Sequence, residues 1–380
     1  MSTISSVMPH GALAFGDWPE PDRIAWDAAL RPSDFLDEDE AGRGVGWRPA
    51  SQRSARGAYA RWIAWLATSG VSLDSEVPAA RITLGRMRDY IDFLTENRAS
   101  VTCASYFGML CMAVQAMFPD RDWRWLQAVQ RRLRRLSSPS RCKAPRLVPA
   151  DQLLQLGLDL IDWAGEVLDW PPVVERNRTA AARDYRHGLI IALLASRPLR
   201  VKNLLGIEIG THLRQSRDRI TLHFPGSETK NGRALDTVWP DILKPVLARY
   251  LSDVRPLLIA ARAPGNPVHP YRPLGNMLWA GQGGTPLTAA GLQKVLERHT
   301  RQRFGHIVNA HLFRDCVATT IANRDPDHIR HAAQLLGHRA LRVTERSYIS
   351  ANSQPALDRH HDLIAAMRTK GRRQRRAHAE

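Results

Sequence analysis

Between Ser51 and Leu136 the apolar residues recur at steps of three and four, and that spacing restricts the stretch to amphipathic α-helix. Tyr59, Trp62, Ile63 and Leu66 share one face of a first helix. After Thr83, a candidate N-cap, Met87, Tyr90, Ile91 and Leu94 line a second. A third, from about Thr102 to Phe118, presents Phe107, Leu110, Val114 and Met117. A fourth, Trp123 to Leu136, aligns Trp123, Leu126, Val129 or Gln130, Leu133 and Leu136. Helices joined by short loops bury such stripes against one another, which predicts a small all-α domain over 47–136.

The rest of the chain reads differently. Residues 1–46 hold nine acidic residues against three arginines, with Gly and Pro and no sustained period. They predict an acidic, mostly irregular arm with a short helix near Pro21–Leu30, either solvated or packed on a neighbouring subunit. Residues 137–148 have the composition of a basic linker. A second domain is expected over 149–369, followed by a basic tail over 370–380. Its helices are expected near 149–164, 178–195, 199–207, 240–258, 287–303, 311–323, 327–336, 341–350 and 355–369. Strand-like runs stand at 206–209, 220–224 and 234–239, the last two joined by Gly226–Gly232, where Asn231-Gly232 is a hairpin signal. The expected fold class is mainly α: a helical N-terminal domain, then a mostly α domain with a small antiparallel sheet.

Charge narrows the partner. The 380 residues carry 54 Lys+Arg against 37 Asp+Glu, a net +17, which points to a polyanion and most often nucleic acid. No acid falls between Asp122 and Asp151. Arg124, Arg131, Arg132, Arg134 and Arg135 surround the stripe of the fourth helix, and Arg141, Lys143 and Arg146 follow. A merely solvated face usually mixes signs, so these eight are candidate phosphate contacts. The longest apolar run, Gly188–Ala195, is far short of the roughly 20 residues that span a bilayer, so no membrane partner is expected. Cys103, Cys111, Cys142 and Cys316 form no CxxC pair, which argues against a disulfide framework or zinc site and fits a reducing cytoplasm. There is no GxGxxG, P-loop or metal-ligand spacing, so no cofactor or metal is expected.

Six residues then stand out by order rather than singly: Arg200 in Pro198-Leu-Arg-Val-Lys-Asn203, Lys230 on the hairpin, His311 and Arg314 in His-Leu-Phe-Arg, His338 in Leu-Gly-His, and Tyr348. Alone, each has an ordinary reading as a surface pair, a helix end, a packed tyrosine, a salt-bridge arginine or a turn lysine. In this order they closely resemble the tyrosine recombinase (phage integrase) family. Gly284-Thr-Pro-Leu-Thr288, Ala318-Thr-Thr320 and Thr344-Glu-Arg-Ser-Tyr348 match the segments between. The resemblance covers about 149–365 by motif, and about 47–140 in style, as the family's helical core-binding domain.

The resemblance implies a site-specific DNA recombinase of integrase or transposase type. Tyr348 would attack the scissile phosphorus, giving a 3′-phosphotyrosyl link and a free 5′-hydroxyl. Arg200 and Arg314 would hold the non-bridging oxygens and His338 would donate to the same phosphate. His311 would assist proton transfer at the tyrosine, and Lys230 would protonate the leaving 5′-oxygen. It implies double-stranded DNA with specific recombination sites, a homotetramer on synapsed DNA with a dimer per site, accessory proteins, and a cytoplasmic, nucleoid-associated location. Three positions depart from the pattern: Asn203 where Glu is frequent, Asp315 where His or Lys is commoner, and a His338-to-Tyr348 step of ten. The alternatives are a type IB topoisomerase with a similar Arg/Lys/Arg/His/Tyr set, and a non-catalytic DNA-binding regulator on the same fold.

Overall fold

The computed structural model describes residues 11–33, 41–138, 143–170, 174–217, 219–261, 273–281 and 283–324. The chain divides into two compact units, Met1–Cys142 and Lys143–Glu380. As expected, the architecture is mainly α, with one three-stranded antiparallel sheet among the described residues.

The first unit holds α1 (Glu20–Ala29), α2 (Pro49–Thr68), α3 (Leu84–Asn97), α4 (Ser100–Met117) and α5 (Arg124–Leu136). The stripe on α2 is buried throughout, with Tyr59, Trp62, Ile63 and Leu66 inaccessible to solvent. Thr83 caps α3 by accepting the Arg86 N–H at 3.3 Å. By length and composition alone α4 is apolar enough to cross a membrane, but here it packs against α1, α2, α3 and α5 and buries Phe107, Leu110 and Val114. Apolar character on all sides suits a helix at the centre of a bundle. The stripe on α5 loses cover towards its end: Trp123 and Leu126 are buried, whereas Leu136, expected to face inward, is 66% exposed.

The described part of the acidic arm is not a solvated tail. Trp18 and Trp26 enter the first unit's core. Asp22 is wholly buried, paired to Arg81 at 2.5 Å and accepting the Tyr59 hydroxyl at 2.6 Å. A carboxylate is tolerated in such a place only with partners of this kind. Burial first, and then the Asp22 charge, push the Tyr59 phenol well above its ordinary pKa, so it remains a donor.

The second unit holds α6 (Ala150–Asp169), α7 (Glu175–Ser196), α8 (Val201–Leu205), strands β1 (Leu213–Ser216), β2 (Arg219–Phe224) and β3 (Leu235–Val238), then α9 (Lys244–Arg249), α10 (Arg255–Ala260), α11 (Ala289–Phe304) and α12 (Ala310–Arg324). Helix α7 is its axis, with every residue from Leu189 to Leu194 inaccessible to solvent. It lies close against α6 because both carry glycine at the crossing. A Cβ on Gly157 would stand 2.6 Å from the Ala192 nitrogen, and one on Gly188 would stand 2.6 Å from the Gly157 oxygen.

The sheet order is β1-β2-β3, with Leu222 opposite Leu213 and Thr237. The strand expected at 206–209 is a correction. Glu208 and Ile209 form only isolated bridges, and the first strand is Leu213–Ser216. That strand has one buried residue in four, so pairing with β2 defines it and its own pattern does not. The helix expected over 240–258 is divided by a π-helical turn, Tyr250–Val254, ahead of Pro256 in α10. A proline here lacks the N–H and crowds the carbonyl four residues back, which displaces the regular ladder. The helices expected at 327–336, 341–350 and 355–369 lie outside the described residues.

Candidate active site

Helix α12 starts where the side chain of Asn309 accepts the Leu312 N–H at 2.9 Å. That start sets His311 on the exposed first turn and turns Arg314 into the protein, 8% exposed. The Arg314 guanidinium donates to the Pro198 carbonyl, two residues before Arg200. Arg200 is half-buried at the N-cap of α8. The two arginines of the sequence motif therefore meet in space. Burial first, and then the Arg200 charge, lower the Arg314 pKa to about 10, and burial lowers that of Arg200. Two partly desolvated guanidinium groups stand in one another's field, and their forked donors suit phosphate oxygens.

His311 lies in the same field. Partial removal of water from its exposed ring is the first cause that lowers its pKa. Asp315 opposes this, and Lys143, Arg314 and Lys230 add to it. The imidazole is thus neutral at pH 7 and able to take a proton. Lys230 is exposed on the loop 225–234 between β2 and β3. This loop includes the expected Gly226–Gly232 connection. Thr229 is buried, with its hydroxyl oxygen 2.7 Å from the Arg233 carbonyl and 3.1 Å from that of Gly226. A Cβ on Gly226 would stand 2.5 Å from the Gly232 oxygen, so only glycine lets the two ends of the loop close. His212 and Glu228 pair at 2.8 Å beneath it. Lys230 therefore stands on a braced loop rather than a flexible one.

The remaining candidates divide. His338, Tyr348 and Arg141 lie outside the described residues. Arg131, Arg132, Arg134 and Arg135 are exposed on α5 in the first unit. Arg124 is exposed as well, but its guanidinium is held by Asp122 at 2.5 Å. In the second unit Arg146 is half-buried, and Lys143 pairs with Asp315 at 2.8 Å. Of the departures from the family pattern, Asn203 is buried on α8 and Asp315 is the partner of Lys143.

Sequence reasoning did not find a second polar cluster, buried between α7 and α11. His187 Nδ1 is 3.2 Å from Asp184 Oδ1 and 3.1 Å from His299 Nε2, while Arg186 Nη2 is 2.8 Å from His187 Nε2. Arg186 also donates to the Ala280 carbonyl. The Asp184, His187 and His299 ligand atoms all lie within 4.8 Å of one another, which is metal-ligand chemistry by composition. The hydrogen bonds assign another role. A guanidinium only donates, so His187 Nε2 must offer its lone pair and the ring proton sits on Nδ1. A metal-bound histidine needs the reverse, a bare nitrogen towards the metal and a donor N–H behind it. Burial lowers the His187 pKa to about 4, and the ring stays neutral. The only sequence signal was the proximity of Asp184 and His187 on one helix face, which is common without consequence.

No family model matches the chain, and no curated protein matches it. Among solved structures, the chain is similar to the XerH site-specific recombinase bound to difH substrate in a pre-cleavage complex. There the identity is 16% over 86% of this chain and 91% of that one, with a TM-score of 0.49. It is also similar to XerH bound to palindromic difH substrate in a post-cleavage complex, at 14% identity over 86% and 90%, with a TM-score of 0.48. A third similar structure is the XerA recombinase, at 15% identity over 84% and 94%, with a TM-score of 0.37.

Proposed function

We propose that this chain is a site-specific DNA recombinase that cuts and rejoins DNA through a 3′-phosphotyrosyl intermediate at Tyr348, without metal or nucleotide. The observation that carries the reading is that Arg314 is held at the Pro198 carbonyl within the field of Arg200, with His311 in the field of both Arg314 and Lys230. Phosphoryl transfer needs fixed donors where charge builds on the phosphate, a group to take the nucleophile's proton and an acid for the leaving oxygen. The two guanidinium groups supply the first, neutral His311 the second and Lys230 the third. His338 adds a further donor. Energy for religation is kept in the phosphotyrosyl bond. The exposed arginines of α5 support a separate, sequence-independent hold on the duplex backbone. The assembly proposed is a homotetramer on two synapsed sites, a dimer on each.

The test is covalent capture. Incubated with a random-sequence pool of nicked suicide duplexes, the wild-type chain should form a protein–DNA adduct that survives denaturation, and Tyr348→Phe should form none. An adduct retained by the variant would mean that Tyr348 is not the nucleophile. No adduct from wild type with any member of the pool would favour a regulator that binds without cutting. Relaxation of a supercoiled plasmid without exchange between two copies of the captured site would favour a topoisomerase.

A further inference from the structure

The start of the second unit is laid along α12, and this places a lysine at the candidate site. The Val148 N–H donates to the Cys316 thiol sulfur at 3.3 Å, the Ala150 N–H donates to the Thr320 hydroxyl at 2.9 Å, and Asp151 pairs with Arg324 at 2.8 Å. Lys143, ahead of these contacts, pairs with Asp315 at 2.8 Å. The segment 143–151 is thus tied to successive turns of the helix that carries His311 and Arg314. Asp315 follows Arg314 directly and lies one turn beyond His311, on the same face. The Lys143 ammonium is therefore held on the catalytic face of α12 by a carboxylate. Asp315 is the more enclosed partner, its side chain 20% exposed against 52% for Lys143, so the lysine is the member free to turn outward. The electrostatics agree, since Lys143 bears more strongly on His311 than Lys230 does.

We propose that Lys143 is a phosphate-binding residue of the catalytic site, held beside His311 and Arg314 by Asp315 until a DNA phosphate takes the carboxylate's place. This rests on the reading of the site as one that handles a DNA phosphate, and it adds a cation outside the motif set. Asp315 acts as a positioning residue. It stores the ammonium in a half-exposed pair, which a phosphate with two accessible oxygens can replace at little cost. Breaking the pair also turns a local anion towards His311, whose ring then has Asp315 facing it, with Arg314, Lys230 and the displaced Lys143 around it.

The test uses the full-length chain and two probes: a random-sequence 40-bp duplex for binding, and the duplex captured by the adduct assay for chemistry. Lys143→Ala should reduce the slope of log affinity against log salt by about 0.9, the value of one phosphate contact. Lys143→Arg should restore the slope. Asp315→Asn, which releases the lysine, should tighten binding several-fold at low salt. In single-turnover cleavage, Lys143→Ala should slow the reaction at least tenfold. It should also move the acid limb of the pH–rate profile to higher pH, because a cation that disfavours the imidazolium of His311 has gone. Thermal midpoints of all three variants separate these effects from misfolding. An unchanged salt slope would overturn the proposal whatever the chemistry does. A reduced slope with an unmoved acid limb would make Lys143 a backbone contact outside the site, which also overturns it. If wild type forms no adduct, the recombinase reading fails by itself, and the salt slope still decides whether Lys143 meets a phosphate.

Discussion

Two of the histidine clusters among the described residues of the second unit, those of His187 and His311, solve opposite problems. Around His187 the groups are enclosed and hydrogen-bonded to one another. Asp184 and His299 face one ring nitrogen and Arg186 Nη2 the other, with Arg186 Nη1 directed to a carbonyl and only its Nε without a partner among the described residues. Around His311 the groups are of mixed burial, with His311, Lys143 and Lys230 exposed and Arg314 buried, and among the described residues three cations, Lys143, Arg314 and Lys230, and the carboxylate of Asp315 bear on the ring. A buried network whose members satisfy one another rigidifies a core. A surface group of cations and a carboxylate around an exposed ring is suited to exchange partners with an anionic ligand. The contrast separates a structural cluster from a functional one by their hydrogen-bond accounts, although the residue types overlap.

The largest expected effect lies in the open cluster. Arg314→Ala should reduce DNA cleavage by about a hundred- to a thousandfold, the usual loss when a donor to the developing charge is removed. Its stability should change by less than about 1 kcal/mol, because relief of repulsion from Arg200 compensates for the lost contact with Pro198. Single-turnover cleavage and urea unfolding measure the two effects separately. A large loss of stability would make Arg314 a core residue and blur the distinction between the clusters.

His187→Ala should show the reverse. It strands the Arg186 donor and the Asp184 carboxylate in the interior, and should cost about 3–4 kcal/mol in urea unfolding. Cleavage per folded molecule should be unchanged. Loss of cleavage at full stability would move this cluster into the active site.

The smallest effect is acid sensitivity. His187 binds its proton at about pH 4 in the folded chain, against roughly 6.5 when unfolded. Its folded pKa is depressed, so its contribution is complete above about pH 6.5 and is lost as the pH falls towards 4. The loss should reach roughly 3 kcal/mol at most. Unfolding midpoints measured between pH 7 and pH 4 should fall with pH and flatten in His187→Ala. A midpoint that stays level through this window in wild type would mean that the ring is more solvated than its 7% exposure implies.

Much of the architecture could be read before the structure. The helices α2 to α5 follow from steps of three and four, and the Thr83 cap follows from its hydroxyl ahead of an apolar run. Periodicity is local, and so are caps. The features that were missed join distant positions. Arg81 closes on Asp22, Arg186 on Ala280, His299 on His187 and Lys143 on Asp315. None of these pairs leaves a trace in spacing, since each partner alone is an ordinary charged or polar side chain or, at Ala280, a backbone carbonyl. The strand Leu213–Ser216 was missed for the same reason, because β2 defines it.

The sequence by itself determined the helical class, the basic character and the order Arg200, Lys230, His311, Arg314, His338, Tyr348, because composition, period and order are properties of a line. Only the tertiary structure decided that Arg200 and Arg314 share a field, that the Lys230 loop is braced and that Lys143 sits against Asp315. Only it decided that His187 and His299 are buried against one another while His311 stands exposed on the first turn of α12. Whether a charge is matched depends on what folding brings within a few ångströms of it, and on how much water folding removes.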